Sequence, residues 1–286
     1  MTAGPSKTTG ALLVLGAACA WGTWSLFLRP TELPGVVTAP IIFAGIFLTS
    51  VPLFRTDAKL GGWDRRAILL VLAFGALDAV NVGTFFSAMG VTSVAVAVLT
   101  HCLAPVLVAL AAPLVDRVVV PRAVPAALIA VVGLALVLEP WRPEARTGEV
   151  VLGAALGTTS AVAYAGNVFL VRRLGERVGA ARAMGVHALI SALLLAPLAA
   201  PHAAEIEGSD LLWLAGAIVV PGTLAGVAFV RGLNVIGAAR TAVIALAEPV
   251  VACVIGFAVF DERLGPLAIV GGAMVLGAGA MVARAS

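Results

Sequence analysis

Long apolar runs alternate with short polar joints along the whole chain. Each run holds close to the 20 or so apolar residues that a helix needs to cross the hydrocarbon layer, and the joints carry most of the charged, proline and glycine residues. This pattern predicts an all-α integral membrane protein with ten transmembrane helices. They are expected at residues 10–28, 34–54, 67–89, 92–115, 123–139, 149–171, 183–200, 211–230, 239–260 and 265–283.

The composition agrees with a membrane protein and excludes other classes. Hydrophobic residues make up 61% of the chain and charged residues 12%, against about 25% charged in soluble domains. The net charge of +3 does not indicate nucleic-acid binding, because the basic residues lie between apolar runs and form no stripe. Cys19, Cys102 and Cys253 are isolated, so neither a metal site nor a disulfide framework is expected. The first apolar run is expected to be a spanning helix and not a cleaved signal peptide.

The basic residues predict how the helices are oriented. Short cytoplasmic loops carry an excess of Lys and Arg. With the N-terminus inside, 14 of the 18 basic residues are cytoplasmic, and the remaining four face outward: Arg29, Arg142, Arg146 and Arg263. We therefore expect a multi-pass protein of the inner (plasma) membrane with both termini in the cytoplasm.

Pro105 and Pro249 indicate an internal repeat. Each lies within a long apolar run, and they are 144 residues apart. A proline inside a spanning helix releases the carbonyl four residues earlier, here that of His101 and of Ala245, and membrane proteins tolerate this next to a helix, water or ligand. Both prolines are therefore predicted helix discontinuities.

The repeat extends to the first helix of each half. At an offset of 143 residues, Trp21 aligns with Tyr164, Trp24 with Asn167, and Arg29 with Arg172. We place the first repeat at 1–145 and the second at 146–286, with five helices each. Because five is odd, the second copy must start on the opposite side of the membrane, and inverted repeats of this kind are typical of secondary transporters.

The stretch 237–264 resembles a helix of a known family. It contains Glu248-Pro249 and ends in Asp261-Glu262-Arg263-Leu264. In this it is similar to the ninth helix of the EamA branch of the drug/metabolite transporter superfamily, where a glycine usually stands in the place of Asp261. In the first half, residues 115–117 are a shortened version of the closing motif, and Ala104 stands where the second half has Glu248.

The resemblance covers nearly the whole chain and implies two inverted five-helix EamA repeats and a secondary transporter. We expect export of amino acids or related small metabolites by alternating access. The Arg240-Thr241 pair resembles the threonine and homoserine exporter branch. A metabolite or nucleotide-sugar importer or exchanger of the same fold remains an alternative, as does a passive channel. The chain carries no HExxH, clustered CxxC, GxSxG or phosphate-loop motif, so we expect neither an enzyme nor a cofactor. The proton is a candidate coupling ion, and monomer and homodimer both remain open.

Two acidic residues lie deep within predicted helices. Asp78 and Glu248 are near the membrane midplane by residue count, where an ionised side chain costs about 2.5 to 3.5 kcal/mol on insertion scales. Asn81 lies on the same helix face as Asp78 at a spacing of i+3. These residues indicate either a substrate or proton site or buried polar groups that join helices, and Glu248 can also cap backbone groups disturbed by Pro249.

Basic side chains supply further candidates. His101 titrates near neutral pH and lies at the carbonyl that Pro105 releases, although a lone histidine is often a packing residue. His187 is a weaker candidate because it has no polar neighbour at helical spacing. Arg231, expected to close the eighth helix, can meet a substrate carboxylate or simply extend to the membrane interface.

Aromatic residues give the last candidates. Trp21 and Trp24 share a face of the first helix, as Tyr164 and Asn167 do at the equivalent place in the second half. Trp21 lies roughly 17 Å along the helix from Gly10 at 1.5 Å per residue, which favours a cavity wall over an interfacial anchor. The fifth and tenth helices carry few polar side chains and many small residues, so we expect them at the periphery.

Overall fold

The computed structural model describes residues 6–58, 60–143, 148–261 and 265–284, and in these ranges the chain is helical with no strand. One isolated bridge joins Thr92 and Gly148. The α-helices are α1 Lys7–Trp21, α2 Trp24–Leu28, α3 Gly35–Ser50, α4 Arg65–Val91, α5 Val94–His101, α6 Ala104–Val115, α7 Ala123–Leu138, α8 Val150–Val178, α9 Ala180–Ala199, α10 Asp210–Ala217, α11 Ala225–Ile236, α12 Ala238–Ala245, α13 Ala247–Phe260 and α14 Pro266–Arg284.

Helical segments of the described chain fall into two length classes. Eight are long and apolar enough to cross a membrane: Lys7–Thr31, Gly35–Asp57, Arg65–Val91, Val96–Val115, Val150–Val178, Ala180–His202, Asp210–Ile236 and Ala238–Phe260. Two shorter apolar helices, Ala123–Leu138 and Pro266–Val282, lie at the predicted fifth and tenth positions. At 1.5 Å per residue, the 16 residues of α7 reach about 24 Å, less than the hydrocarbon thickness of about 30 Å.

Several of the long segments are interrupted. The predicted fourth helix breaks at Cys102-Leu103 between α5 and α6, and the predicted ninth helix breaks at Leu246 between α12 and α13. Each break precedes a proline by two or three residues, so Pro105 and Pro249 lie in the first turn of the new helix, where a missing N–H costs little. A further turn at Gly22-Thr23 separates α1 from α2, and Ile218–Leu224 is π-helical around Pro221.

The protein consists of two compact units that do not follow the sequence halves. The described residues up to Ala79 form the first unit with Phe169–Gly237, and Val80–Val168 form the second with the described residues from Ala238 onward. Two of the three dividing points fall inside α4 and α8, and the third falls between α11 and α12. Each unit therefore combines helices from both halves of the sequence.

The first unit is built on two close helix pairs, α1 with α11 and α3 with α9. In the α1–α11 pair a Cβ at Gly232 would lie 2.6 Å from the carbonyl oxygen of Gly10, so glycine is what lets the two backbones approach. A core cluster lies nearby, with Trp24 and Phe27 packed against it: Ile42, Ile46, Ala188, Leu214 and Ala217.

One end of this unit is held by polar contacts. Buried Asp57 accepts a hydrogen bond from the backbone N–H of Arg182 at 3.0 Å and so caps the start of α9. Gly179, just before α9, has φ +94°, and a Cβ there would overlap the Asp57 carboxylate. A side chain at position 179 would therefore be both strained and obstructed.

A salt bridge at the same end joins the last turn of α8 to the residue before α4. Arg177 Nη1 lies 2.7 Å from Asp64 Oδ2. The backbone N–H of Ala67 and, after it, Arg177 hold the pKa of the Asp64 carboxyl below its ordinary value. The contact therefore remains ionic at neutral pH and weakens only as the pH falls through that lowered pKa.

The second unit pairs the two short helices, α7 and α14, along most of their length. A Cβ at Gly133 would lie 2.7 Å from the Gly271 carbonyl oxygen, and a Cβ at Gly271 would overlap the Gly133 carbonyl oxygen. Beyond these helices, Arg142 forms a salt bridge with Glu139.

Two predicted helix ends are wrong. The sixth predicted helix continues to Val178 and the eighth to Ile236, because helices extend past the apolar run into charged sequence, where the Arg172–Glu176 pair at i,i+4 supports the last turns of α8. Arg231 thus lies inside α11 and does not close it. The repeat boundary at 145/146 and the motif residues Glu262, Arg263 and Leu264 lie outside the described residues.

Candidate functional site

Two polar side-chain clusters lie within the apolar helices, one in each unit. The cluster of the first unit joins α4 to α9. Asp78, near the middle of the 27-residue α4, has its Oδ2 atom 3.2 Å from Nε2 of His187. The His187 side chain is 1% exposed and that of Asp78 14%. A carboxyl group that looked isolated in the sequence therefore has a buried basic partner.

The His187 ring is fixed from several directions. Its Nδ1 atom lies 3.2 Å from the carbonyl oxygen of Ala183, one turn earlier in α9. Phe74 stacks on the ring with centroids 3.9 Å apart, and Phe43 meets it edge-on at 6.0 Å. One turn further on, Ser191 donates to the carbonyl of Gly75 at 3.0 Å. The α4–α9 contact thus includes an ionisable link and a neutral one.

The cluster of the second unit joins α4, α5 and α8. The buried Ser160 hydroxyl donates to Oδ1 of Asn81 at 2.8 Å, and Nδ1 of His101 lies 2.8 Å from the same hydroxyl oxygen. A serine has one hydrogen to donate, so the His101 Nδ1–H must be the donor to Ser160. In the neutral ring this leaves Nε2 as an acceptor.

Aromatic rings surround His101. Phe85 of α4 lies 4.7 Å from it and Tyr164 of α8 meets it edge-on at 5.4 Å, measured between ring centroids. His101 is also the last residue of α5, directly before the break that precedes Pro105. Hydrogen-bonding groups, aromatic faces and an interrupted helix therefore meet at one place, which suits a small polar or cationic ligand.

The other predicted site residues have separate surroundings. Trp21 packs against Phe229 of α11 with centroids 4.8 Å apart, and Trp24 packs against the core cluster of the first unit. Asn167 is buried in α8. Glu248 lies in the first turn of α13, where a helix favours a negative charge. Exposed Arg231 donates to the Thr56 hydroxyl at 3.2 Å.

The structure thus brings together three of the nine predicted residues, Asn81, His101 and Tyr164. Asp78 and Asn81, which are three residues apart on α4, have different partners. Reasoning from the sequence missed Ser160 and gave His187 little weight, because each partner is far away in the chain. Only a polar residue at the middle of an apolar run could have signalled either one.

Helices of membrane-spanning length, a helical fold throughout the described residues, and polar side chains that meet inside apolar helices define a multi-pass membrane protein. The sequence profile of the EamA-like transporter family matches residues 8–139 and again 151–284. The chain belongs to this family and is a transporter of the drug/metabolite type. It is 26% identical, over 96% of both chains, to an uncharacterized transporter of Archaeoglobus fulgidus. A solved crystal structure that is 20% identical covers 98% of both chains with a TM-score of 0.80, which shows the same fold.

Proposed function

We propose that the protein is a secondary transporter that exports amino acids or related small metabolites across the inner membrane by alternating access. Ten spanning helices in two inverted repeats provide the frame, and the two matches of the family profile support this arrangement. The short helices α7 and α14 complete the ten by local thinning of the bilayer. Asn81, His101 and Tyr164 contact the substrate, with Ser160 holding the first two in place.

The observation that carries the proposal is the Asn81–Ser160–His101 chain of hydrogen bonds beside the α5–α6 break. In inverted-repeat transporters the substrate lies near the midplane, where helices are discontinuous. Amide, hydroxyl and imidazole groups bind the polar ends of a small metabolite, and the faces of Phe85 and Tyr164 attract an ammonium group. Amino acids carry both features.

The remaining predicted residues take supporting roles in this proposal. Trp21, Trp24 and Asn167 line the pathway and Glu248 is secondary, whereas Asp78 is paired with His187 and does not contact the substrate. Arg231 interacts with a carboxylate at the cytoplasmic end.

Counterflow in proteoliposomes tests transport directly. Vesicles loaded with unlabelled amino acids should accumulate a radiolabelled amino-acid mixture, because a carrier exchanges the two and a passive channel does not. Competition by amines, sugars or nucleotides separates the alternative substrates. Accumulation blocked by nucleotide sugars and unaffected by amino acids would favour the importer or exchanger of the same fold.

A pair of variants tests the site. Ser160→Ala removes the hydroxyl that joins Asn81 to His101, and loss of a buried hydrogen bond costs about 1–3 kcal/mol, so we expect counterflow to fall on the order of tenfold. The neighbouring Thr159→Ala is the control, because the Thr159 hydroxyl is exposed and bonds its own helix at Ala155. Equal rates for the two variants would contradict this placement of the substrate.

A further inference from the structure

The atom that His187 Nδ1 contacts indicates which ring nitrogen carries the hydrogen. Nδ1 lies 3.2 Å from the carbonyl oxygen of Ala183, and a carbonyl oxygen can only accept a hydrogen bond. This contact is a hydrogen bond only when the ring carries its hydrogen on Nδ1. In a neutral imidazole this leaves Nε2 with a lone pair and no hydrogen.

The contact between His187 and Asp78 then requires one more proton. Nε2 is 3.2 Å from Asp78 Oδ2, and a bare carboxylate cannot bond a nitrogen lone pair. Either a protonated Asp78 donates its O–H to Nε2, or an imidazolium donates N–H to the carboxylate. In both forms the pair is neutral overall and holds one proton more than a carboxylate beside a neutral ring.

The surroundings favour this protonated state. Removal of the proton would place a carboxylate oxygen 3.2 Å from a nitrogen lone pair, at a ring that is only 1% exposed, and such a buried contact between two acceptors is unfavourable. The face of Phe74, stacked at 3.9 Å, further stabilises a positive ring.

No other charged group bonds to His187 in the described part of the chain. Helix α3 carries no titratable side chain, and Asp78 is the charged residue of α4 that meets the ring. The remaining charged or titratable groups on α9 and on elements packed against it lie toward the ends of α9 or are bonded elsewhere: Arg55, Asp57, Arg182, His202, Glu205 and Arg231.

We propose that Asp78 and His187 form a proton-binding pair that couples transport to the proton gradient. This rests on the proposed function, since it assigns the coupling ion to that transporter. The proton is taken from water through Asp78, the more exposed member, and is held between Oδ2 and Nε2. It returns to water on the other side once the transport cycle hydrates the pair or separates α4 from α9. Only O–H and N–H bonds change.

Two transport measurements on one preparation test the coupling. Counterflow of the radiolabelled amino-acid mixture needs no net proton movement, whereas accumulation driven by an imposed pH gradient does. Asp78→Asn keeps the side-chain volume but cannot bind the proton, so we expect it to retain counterflow and to lose the stimulation by the gradient. Retained stimulation in Asp78→Asn, or a wild type that exchanges substrate without responding to the gradient, would overturn the pair and leave the transporter assignment intact. Failure of wild-type counterflow would instead count against the proposed function.

Ser191→Ala is the matched control. It removes a neutral side-chain hydrogen bond between α9 and α4, the one from Ser191 to Gly75, and leaves Asp78 and His187 in place. Loss of the gradient response in this variant as well would show that helix contact and not proton binding was disturbed, which would contradict the proposal.

A measurement on the wild type avoids dependence on the Asp78 variant. The chain has three histidines, so nitrogen NMR of isotopically labelled histidine, with His101→Gln and His202→Gln used for assignment, reports on His187 alone. We expect hydrogen on Nδ1 and a proton shared at Nε2. A neutral ring with hydrogen on Nε2 and none on Nδ1 would overturn the proposal, because that ring donates to a plain carboxylate and holds no additional proton.

Discussion

Asp261 ends α13 with a left-handed backbone conformation, φ 53° and ψ 24°. This conformation closes many helices and is adopted most easily by glycine. For other residues it costs roughly 1–2 kcal/mol, less for aspartate, which forms local hydrogen bonds. The geometry therefore gives a physical reason for the glycine that usually occupies this position in similar sequences.

We predict that Asp261→Gly raises the stability of the protein by up to about 1 kcal/mol. The apparent melting temperature of the purified protein in detergent measures the change. Asp261→Asn is the control, since asparagine removes the charge but shares the backbone preference of aspartate. If both variants raise the melting temperature equally, the gain comes from loss of the charge and not from the backbone, which would contradict the prediction.

At the level of elements, the glycine contact between α7 and α14 sets how closely the two short helices pack. Each glycine faces the carbonyl oxygen of the other, with no room for a methyl group. Small residues at such crossings are how membrane helices gain packing contacts without a hydrophobic driving force between them. Close approach thus increases the packing contacts between these two short helices.

We predict that Gly133→Ala destabilises the protein even though alanine is the better helix former by about 0.8–1.0 kcal/mol. The new Cβ would lie 2.7 Å from the Gly271 carbonyl oxygen, and forced backbone shifts typically cost about 1–3 kcal/mol. Gly277→Ala is the matched control on α14, because nothing lies within 4 Å of its added Cβ. Thermal melts of both variants in detergent check the prediction, and a lower melting temperature for Gly277→Ala than for Gly133→Ala would contradict it.

The positions of the helices could be predicted from hydropathy, but the contacts between them could not. The apolar runs predicted each spanning segment to within a few residues, except where α8 and α11 continue into charged sequence. The sequence could not predict which side chains contact each other across helices, because Asp78 and His187 are 109 residues apart and Asn81 and Ser160 are 79 residues apart. Helical spacing relates only residues on the same helix, so it predicted that Asp78 and Asn81 share one site. In the structure Asp78 contacts His187 and Asn81 contacts Ser160.

At the scale of the whole molecule, loops that the sequence assigns to one side of the membrane lie together within each unit. In the first unit, contacts join Asp64 to Arg177 and Thr56 to Arg231, all assigned to the cytoplasm. In the second, Thr92 bridges Gly148, both assigned to the outside. The alternation of helix directions is therefore consistent in both units, and the excess of basic residues predicts which side faces the cytoplasm.

The last prediction is that the loop containing Gly62 faces the cytoplasm and the loop containing Gly208 the periplasm. Both glycines are exposed, and a Cβ at either position would meet nothing within 4 Å, so Gly62→Cys and Gly208→Cys should leave the fold unchanged. In a background lacking Cys19, Cys102 and Cys253, an impermeant thiol reagent added to spheroplasts should label Gly208→Cys at once. It should label Gly62→Cys only after permeabilisation. This expectation rests on the tendency of loops rich in Lys and Arg to remain in the cytoplasm. The opposite labelling pattern would show that the protein has the inverse orientation in the membrane.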